Sequence, residues 1–307
     1  MASAQPPRPR VGPQALAALQ RDMVRVPLSL AEVLDGRVPM LPALPRQAPG
    51  YLVTSLPEDR RAAMGFGADT MIAVTRQRYT RHWVDLSAGF SDYWQRLGDE
   101  LRRAVTRNTA RIASVSGGTI ALRRFRTPHE LAHFHDMAHR LSLRTYRQRL
   151  GGDAIPDDSA FLQRMMADAT AGLARGWVLH IAGEPAAFLY ATIDAGTVVR
   201  QYAACDPAFA DFDPEGVLQV EIMRDLFGER SPTRFDFAEG AQCRKGPCAI
   251  GGVACLDLLL LRPSLAHHVA AVALTAVDRA TALGRHGATR LGIDRIARIM
   301  RDAPGLH

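Results

Sequence analysis

The sequence predicts an α/β protein whose sheet is mixed and mainly antiparallel. Three short apolar stretches follow one another, separated by tight turns at Gly183 and Gly196. Turns of this kind join neighbouring antiparallel strands, so the three stretches predict a meander. A helical pattern at 217–227 comes next, and two apolar stretches predict further strands at 234–237 and 252–261. The strands of the meander are predicted at 177–182, 186–193 and 197–204.

The preceding residues alternate between strand and helix patterns. The pattern at 92–112 is amphipathic, with apolar side chains on one face and arginines largely around the other. Thr127 is a capping residue followed by Pro128 at the first helical position and Glu130 at the third, an order that starts a helix. The other elements predicted here are strands at 71–75, 80–86 and 119–125, and helices at 127–150 and 158–175.

Composition and pattern together predict four regions along the chain. The first is rich in proline and arginine, and the last carries two arginine-bearing helical patterns at 264–283 and 292–301. The regions are an arm at 1–50, a first α/β region at 51–150, the meander with its following elements at 151–262, and C-terminal helices at 263–307.

The charge balance is basic, with a formal net charge of +7 from 38 cationic and 31 anionic side chains. Arginine supplies 37 of the 38 cations, and Lys245 is the remaining one. So extreme a ratio indicates a codon-composition bias rather than 37 separate requirements for a guanidinium. The basic balance therefore does not predict a nucleic-acid partner, and attention falls instead on Lys245, a flexible primary ammonium.

The chain shows no targeting or membrane-spanning pattern. Residues 1–13 contain no apolar run that could form the core of a signal peptide. The longest apolar stretches, 253–261 and 269–274, are shorter than the ~20 residues that a spanning helix needs. Four cysteines are too few for a secreted disulfide scaffold of this length, so we expect reduced thiols and a cytoplasmic location.

Five segments between Tyr79 and Arg301 carry a family resemblance. Each motif is weak alone, but their order and spacing resemble the GNAT acyltransferases, specifically the cellulose-biosynthesis-type (CelD-like) acetyltransferase branch, and distantly the Fem-type peptidoglycan transferases. The segments are the arginine-rich helix Tyr93 to Arg111, Leu141 to Gly151, Gln201 to Pro207, Asp213 to Leu218, and Phe235 to Gly240 followed by Lys245.

The resemblance implies a GNAT fold in the second half, preceded by a partial GNAT-like repeat. It implies transfer of an acyl group from acetyl-CoA, another acyl thioester or an acyl-carrier protein to an amine or hydroxyl of a small molecule or saccharide, with a role in polysaccharide or envelope biosynthesis. No metal is expected.

The strand 199–205 would splay from its neighbour and expose backbone groups to the pantetheine amides, and the start of the helix at 217–227 would receive the pyrophosphate. The residues implied in cofactor binding are Ala203, Ala204, Cys205, Gly216, Val217 and Leu218.

One departure from the family concerns the phosphate loop. Many members carry Ser-Pro-Gly-Thr where this chain has Asp213-Pro214-Glu215-Gly216. Two carboxylates beside a pyrophosphate would repel it.

Acyl transfer to an amine requires a base for the nucleophile, a donor for the carbonyl oxygen and a proton for the departing thiolate. Asp236 and Glu239 are the candidate bases, Tyr202 is a candidate acid or substrate contact, and Lys245 is a charge partner or substrate anchor. Two of these residues have equally good structural interpretations: Asp236 could fasten the following loop, and Tyr202 could simply pack its ring. Candidate substrate-binding residues are Gln201, Tyr146 and Arg144.

A zinc hydrolase is the main competing hypothesis. His129-Glu130-Leu131-Ala132-His133 matches the H-E-x-x-H pattern, with His139 at the offset of a third ligand. Asp136 stands where such enzymes need a glycine, and in a continuous helix His139 lies about 240° round from His133. Pro128 also places the first histidine in the first helical turn. The hydrolase is therefore the less favoured interpretation, and exposed histidines on a polar face are the simpler one.

Four weaker alternatives stay open. The four cysteines could hold a metal, but their spacings are not those of a zinc knuckle, so free thiols are favoured. The arginines of the helix at 92–112 could grip phosphate, polysaccharide or tRNA, although a solvated face is favoured. The closing helices could rest against an anionic membrane surface, or the protein could be a non-catalytic GNAT-like scaffold with a degenerate phosphate loop.

Lys245→Arg tests whether position 245 requires a primary ammonium. The substitution keeps the charge but changes its shape, and the loss of one charge-assisted hydrogen bond would lower acyl turnover about tenfold. Steady-state kinetics with the full chain measure the effect. If turnover is intact, the lysine is an accident of composition.

Overall fold

Antiparallel strand pairing dominates the protein, as a computed structural model shows for residues 23–65, 71–148, 154–229, 231–238 and 248–275. The chain divides into two units, one spanning Met1–Tyr79 and Ala254–His307, the other Thr80–Val253. Strands β3 (Ile72–Asp85) and β9 (Gly251–Leu261) contribute residues to both units. The candidate site lies in the second unit.

The second unit contains a six-stranded arrangement in the order β3-β8-β7-β6-β5-β4. The pairings are antiparallel except between β7 and β8, which run parallel. This topology confirms the predicted fold class, an α/β protein with a mixed, mainly antiparallel sheet. The strands are β4 (Ala121–Phe125), β5 (Ala174–Ile181), β6 (Glu184–Asp194), β7 (Thr197–Cys205) and β8 (Arg234–Asp236).

Helices cover both faces of these strands. A core cluster on one face includes Tyr93, Trp177 and Phe235, and a second cluster includes Phe134 and Phe188. Both clusters are fully apolar at their centres, and burial of this kind contributes roughly 25 cal/mol per Å² of apolar surface. The helices are α2 (Phe90–Arg96), α3 (Asp99–Val115), α4 (Pro128–Gln148), α5 (Ser159–Thr170) and α6 (Pro214–Phe227).

The predicted start of α4 is confirmed in detail. The Thr127 hydroxyl accepts a hydrogen bond from the Glu130 N–H at 3.3 Å, and the Glu130 carboxylate accepts one from the Thr127 N–H at 3.0 Å. These reciprocal bonds form a capping box. They satisfy backbone donors that the first turn of a helix leaves unpaired.

Three predicted elements have different bounds in the structure. The helix predicted at 92–112 is two helices. Leu97, which is extended and buried, ends the first, and Gly98 is the N-cap of the second. The strands predicted at 71–75 and 80–86 are one continuous strand, β3. The helix predicted to reach residue 175 ends at Thr170, since Gly172 adopts a positive φ of 72° that reverses the chain into β5.

Ionic contacts fasten the end of α6 to the neighbouring strands. Asp225 accepts hydrogen bonds from the Trp177 indole at 2.8 Å and from Arg124 at 2.5 Å. One residue past the helix cap, Glu229 accepts from Arg175 at 3.1 Å. Because these carboxylates are almost buried, the contacts fix the axis of α6 and so the position of its first turn.

The first unit has its own strand arrangement. Strand β2 (Gly50–Pro57) pairs in parallel with β1 (Val24–Pro27) and antiparallel with β9. The β2–β9 pairing contains a bulge, where Ser55 is fully buried with φ 60° and its N–H donates to Asp257 at 3.0 Å. The Gln77 amide and the Tyr79 hydroxyl donate to the same carboxylate, which satisfies the buried charge.

One further helix of this unit was not predicted, and another matches part of a predicted helix. The short helix α1 (Leu30–Leu34) lies in a region predicted as an arm, and residues 265–275 are helical within the helix predicted at 264–283. The helix predicted at 292–301 lies outside the described residues. Of the helices in the described part of the chain, none is both long enough and apolar enough to cross a membrane.

Gly176→Ala tests the packing between β5 and α4. A Cβ at this position would lie 2.9 Å from the Phe134 ring, which is itself fully buried. Overpacking of this kind costs about 1–3 kcal/mol in the free energy of unfolding, measured by urea denaturation. Gly89→Ser is the control, since this N-cap position has open space and serine is a good N-cap. Equal stabilities of the two variants would contradict the packing.

Candidate functional site

Strand β8 borders only the first half of β7, and we call the remaining stretch of that β7 edge, residues 200–205, the open edge. The two strands pair only from Thr197 to Val199, because β8 ends at Asp236. Strand β7 continues to Cys205 with β6 on its other side. The splaying implied for the strand 199–205 would lie along this stretch.

The direction of the backbone groups on this edge follows from the pairing with β6. Asp206 N–H donates to Ala186 C=O, and alternate residues of an antiparallel strand point their backbone groups to opposite edges. The N–H and C=O groups of Ala203 and Cys205 therefore face the open edge, and those of Ala204 face β6. Ala203, Ala204 and Cys205 stay predicted pantetheine contacts, and the first and last of them have their backbone groups on the open edge.

A β-bulge lies at the start of the open edge. Tyr190 pairs with Tyr202 and Ala191 pairs with Arg200, so Gln201 is the extra residue of β7. A bulge locally disrupts the ladder and redirects side chains. The Gln201 side chain is exposed and donates to the Thr192 hydroxyl at 2.9 Å.

The first turn of α6 follows β7 after a short 3-10 segment, Pro207–Phe212. Gly216 lies inside this turn, where a Cβ would be 2.7 Å from a carboxylate oxygen of Asp213. Val217 and Leu218 are buried, so only their backbone groups could meet a ligand. The close approach at Gly216 is thus made by the chain's own Asp213, which has φ 46°.

A second carboxylate on this turn has a cationic partner. Glu215 lies 3.5 Å from the Arg200 guanidinium, and the Arg200 side chain is only 14% exposed. The pair partly neutralises the charge that the sequence placed beside the helix start. Asp213 forms no such ion pair among the described residues.

Asp236, the first candidate base, is fully buried and ion-paired. Its carboxylate is 2.5 Å from Nη2 and 3.3 Å from Nε of Arg81, and it also accepts from the Ala238 N–H at 2.9 Å. A carboxylate held by two guanidinium nitrogens and a backbone N–H is not positioned to take a proton from a substrate. These contacts favour the loop-fastening interpretation of Asp236.

Tyr202 lies on the opposite face of β7 from the first core cluster. Its ring packs edge-on against Phe161 of α5 at 5.6 Å, beside a cavity of about 250 Å³ that is also lined by Arg164, Asp168 and Gln201. Tyr190 lines the same cavity, and burial raises its pKa, with Asp168 and Tyr202 acting in the same direction. Tyr190 therefore stays protonated at neutral pH and can only donate or accept hydrogen bonds.

The end of α4 is tied to the end of β7. Arg144 donates to Asp206 at 2.6 Å, and the Thr145 hydroxyl donates to the Cys205 carbonyl at 2.8 Å. Arg144, predicted to bind substrate, is thus engaged with a buried carboxylate. Tyr146 belongs to α4, but its side chain is outside the described part of the structure. Glu239 and Lys245 lie outside the described residues.

The H-E-x-x-H residues do not form a zinc-hydrolase arrangement. Hydrogen bonds from the Thr127 and Arg126 N–H groups lower the pKa of Glu130 and hold its carboxylate at the helix start. His129 and His133 face each other with their Nε2 atoms 3.3 Å apart. His139 lies instead beside His135 and Asp157.

Sequence reasoning missed Arg81, Arg200 and Asp206, which organise the site. A signal existed for Arg81, because the alternation Tyr79-Arg81-Trp83 puts it on the same side of its strand as two large apolar residues. No such signal existed for Arg200 and Asp206, because their partners, Glu215 and Arg144, lie on other elements of the fold.

Residues 99–244 match a family model, the acetyltransferase (GNAT) domain. The matched segment contains the open edge of β7 and the first turn of α6, and it confirms the GNAT resemblance for this part of the chain. A search of curated proteins finds no significant sequence match.

Several solved structures are similar at low identity. A C-terminal domain assigned to a lysylphosphatidylglycerol synthetase from Agrobacterium fabrum has a TM-score of 0.49 at 12% identity, covering 73% of this chain and 71% of that one. FemX has a TM-score of 0.47 at 11% identity, covering 81% and 77%. A GCN5-related N-acetyltransferase from Kribbella flavida has a TM-score of 0.39 at 12% identity, covering 70% and 68%.

Substitutions at Arg81 and Asp236 test the buried ion pair. Arg81→Met or Asp236→Leu alone leaves an uncompensated buried partner, and we expect a loss of about 3–5 kcal/mol in the free energy of unfolding. The double variant Arg81→Met with Asp236→Leu removes both charges and should recover most of that loss. Urea denaturation measures all three, and additive losses in the double variant would contradict the pairing.

Proposed function

We propose that the protein is an acyltransferase that binds an acyl thioester in the cleft where β7 and β8 separate, and transfers the acyl group to an amine or hydroxyl. One observation carries the proposal. Within the segment that matches the GNAT acetyltransferase domain, β7 turns the backbone groups of Ala203 and Cys205 away from β6, along a stretch that β8 does not reach, beside the first turn of α6.

The pantetheine arm supplies amides that suit this edge. An extended chain laid along β7 can exchange hydrogen bonds with the N–H and C=O groups of Ala203 and with the carbonyl of Cys205, as an added strand would. The Cys205 carbonyl already accepts from Thr145, but a carbonyl has two lone pairs and can accept a second bond. Strand addition of this kind would also orient the thioester toward the bulge at Gln201.

A donor for the thioester oxygen follows from this placement, while the base and the anchor are taken from the residues that the family resemblance implies. A backbone N–H at the bulge can donate to the thioester oxygen as negative charge develops there. Because Asp236 is committed to Arg81, we assign the base role to Glu239 in preference to Asp236 and keep Lys245 as the anchor for an anionic group of the acceptor. The cavity beside Tyr202 and Gln201 is the candidate acceptor site, with Arg164 and Asp168 offering both charges to a polar acceptor.

The charge of the α6 turn bears on the identity of the donor. CoA brings a pyrophosphate and a further phosphate, whereas a carrier-bound phosphopantetheine brings one phosphodiester. The Asp213 carboxylate lies against Gly216, and the Glu215 carboxylate is ion-paired with the guanidinium of Arg200. Fewer phosphates meet less repulsion from these carboxylates, which favours the acyl-carrier protein over free CoA.

The same two carboxylates favour one alternative function, a non-catalytic GNAT-like scaffold whose phosphate site has degenerated. Membership of the CelD-like branch, a role in polysaccharide or envelope biosynthesis and a cytoplasmic location likewise stay predictions.

The direct experiment presents the full chain with acetyl-CoA, longer acyl-CoA thioesters and an acyl-carrier protein. Binding is measured by calorimetry, thiol release by a colorimetric thiol reagent, and acylated products by mass spectrometry with a panel of amines and amino sugars. Thioester binding with acceptor-dependent thiol release supports the acyltransferase. Absence of binding to every donor at millimolar concentration supports the scaffold.

Glu215→Gln tests where the donor phosphate lies. Removing one charge about 6 Å from a phosphate removes about 0.7 kcal/mol of repulsion in water, about threefold in Kd. Release of Arg200 from its ion pair acts in the same direction, so we expect acyl-CoA to bind at least about threefold more tightly.

Glu100→Gln is the matched control for this variant. Glu100 is also an acidic residue in the first turn of a helix, α3, so its loss changes the interaction with the helix dipole equally. We expect no change in the Kd of acyl-CoA for this control. An unchanged Kd in Glu215→Gln would place the phosphates away from the α6 turn.

A further inference from the structure

A group of potential metal ligands lies on α4 and the segment that leads into α5. His135 and His139 are one helical turn apart on the same face of α4, and Asp157 comes just before the N-cap of α5. One ligand atom from each of the three residues lies within 4.8 Å of the other two. None of the three has a part in the proposed acyl transfer.

Backbone carbonyls select the tautomer of both imidazoles. His135 donates from Nε2 to the Pro156 carbonyl at 2.8 Å, and His139 donates from Nδ1 to the Ile155 carbonyl at 3.0 Å. Because a carbonyl can only accept, each neutral ring keeps a lone pair on its other nitrogen. Histidine ligands of metals are oriented in this way by an outer hydrogen bond.

The surroundings of the group are dry on one side and open on the other. His135 is 4% exposed. Its ring centroid lies 5.8 Å from that of the nearly parallel His139 ring and 6.0 Å from that of the Phe161 ring. The Asp157 side chain is 62% exposed. An ion can therefore enter past Asp157 and bind against a wall that excludes water.

One of the three ligand–ligand distances is close to that around a bound ion. His139 Nε2 is 3.8 Å from Asp157 Oδ2. Ligands at about 2.1 Å from a tetrahedral Zn²⁺ are roughly 3.4 Å apart. Rotation of the exposed Asp157 side chain can close this distance, and small shifts of the three side chains, whose ligand atoms lie within 4.8 Å of one another, would complete the site.

We propose that His135, His139 and Asp157 form a site for a divalent transition metal, with Zn²⁺ the best match to two imidazoles and a carboxylate and with water as the fourth ligand. The metal clips residues 155–157 to α4. Since this helix also holds the end of β7 through Arg144 and Thr145, the role is to stabilise the fold, and the metal takes no part in the reaction.

His129 and His133 provide an internal control on the same helix. They are also one turn apart, but both are exposed, and among the described residues no third ligand completes a group with them. Their substitution should leave binding at the proposed site unchanged.

The experiment uses the full chain, purified with chelator, and titrates it with Co²⁺ as a spectroscopic probe and with Zn²⁺ by calorimetry. We expect one equivalent of Co²⁺ with the visible spectrum of a four-coordinate site, displaced by Zn²⁺. We expect Zn²⁺ to raise the melting temperature of the unmodified protein. His139→Ala and Asp157→Asn should each weaken binding about tenfold or more and abolish the melting shift, while the His129→Ala, His133→Ala double variant behaves as the unmodified protein.

Three results would overturn the proposal. The first is no Zn²⁺ binding by the folded, unmodified chain at micromolar concentration. The second is binding that survives in His139→Ala and is lost in the His129→Ala, His133→Ala variant. The third is thiolate-to-Co²⁺ charge-transfer absorption, which would assign the metal to cysteines. Circular dichroism of each apo variant shows that a loss of binding is not a loss of folding.

Discussion

The buried ion pair between Arg81 and Asp236 is the contact on which the candidate site depends. Its two charges lie in the protein interior, where an unpaired carboxylate would be strongly destabilising. Satisfying Asp236 also requires the Ala238 N–H, and Ala238 adopts φ 63° to provide it. Strand β8 is only three residues long, and Phe237 adds one further backbone hydrogen bond, to the His82 carbonyl of β3, before Ala238 takes up its left-handed conformation. The open edge of β7 exists because its parallel partner stops there.

Local signals predicted the frame of this site well. The turns at Gly183 and Gly196 fixed the meander, and the Thr127–Glu130 capping box fixed the start of α4, because each of these signals acts within four residues. The break between α2 and α3 could not be predicted, because Leu97 falls on the apolar face of a continuous helical pattern. A buried leucine at that position is expected whether its backbone is helical or extended. The role of Asp236 was undecidable from sequence, since a strand-end aspartate looks alike whether it binds a proton or an arginine 155 positions away.

The arginine-rich composition also needs a different interpretation at individual positions. The ratio of 37 arginines to one lysine indicates a bias that says little about partners. Even so, Arg81 and Arg175 are nearly buried, and each meets a carboxylate through its guanidinium. A planar fork with several donors suits such contacts better than an ammonium does. Although arginine is abundant for compositional reasons, these two arginines hold β8 and the end of α6 in place.

Helix α4 connects the open edge of β7 with the proposed metal site. Its apolar face, with Phe134 at the centre, packs against β5 and β6, while an adjacent side of the helix presents His135 and His139 toward residues 155–157. Further along, Arg144 and Thr145 hold the residues at which β7 ends. A rigid β7 edge needs a fixed α4, because the Thr145 hydroxyl touches the Cys205 carbonyl directly. Any contact that fixes the other side of α4, a metal included, therefore reduces the freedom of the cleft without touching the reacting groups.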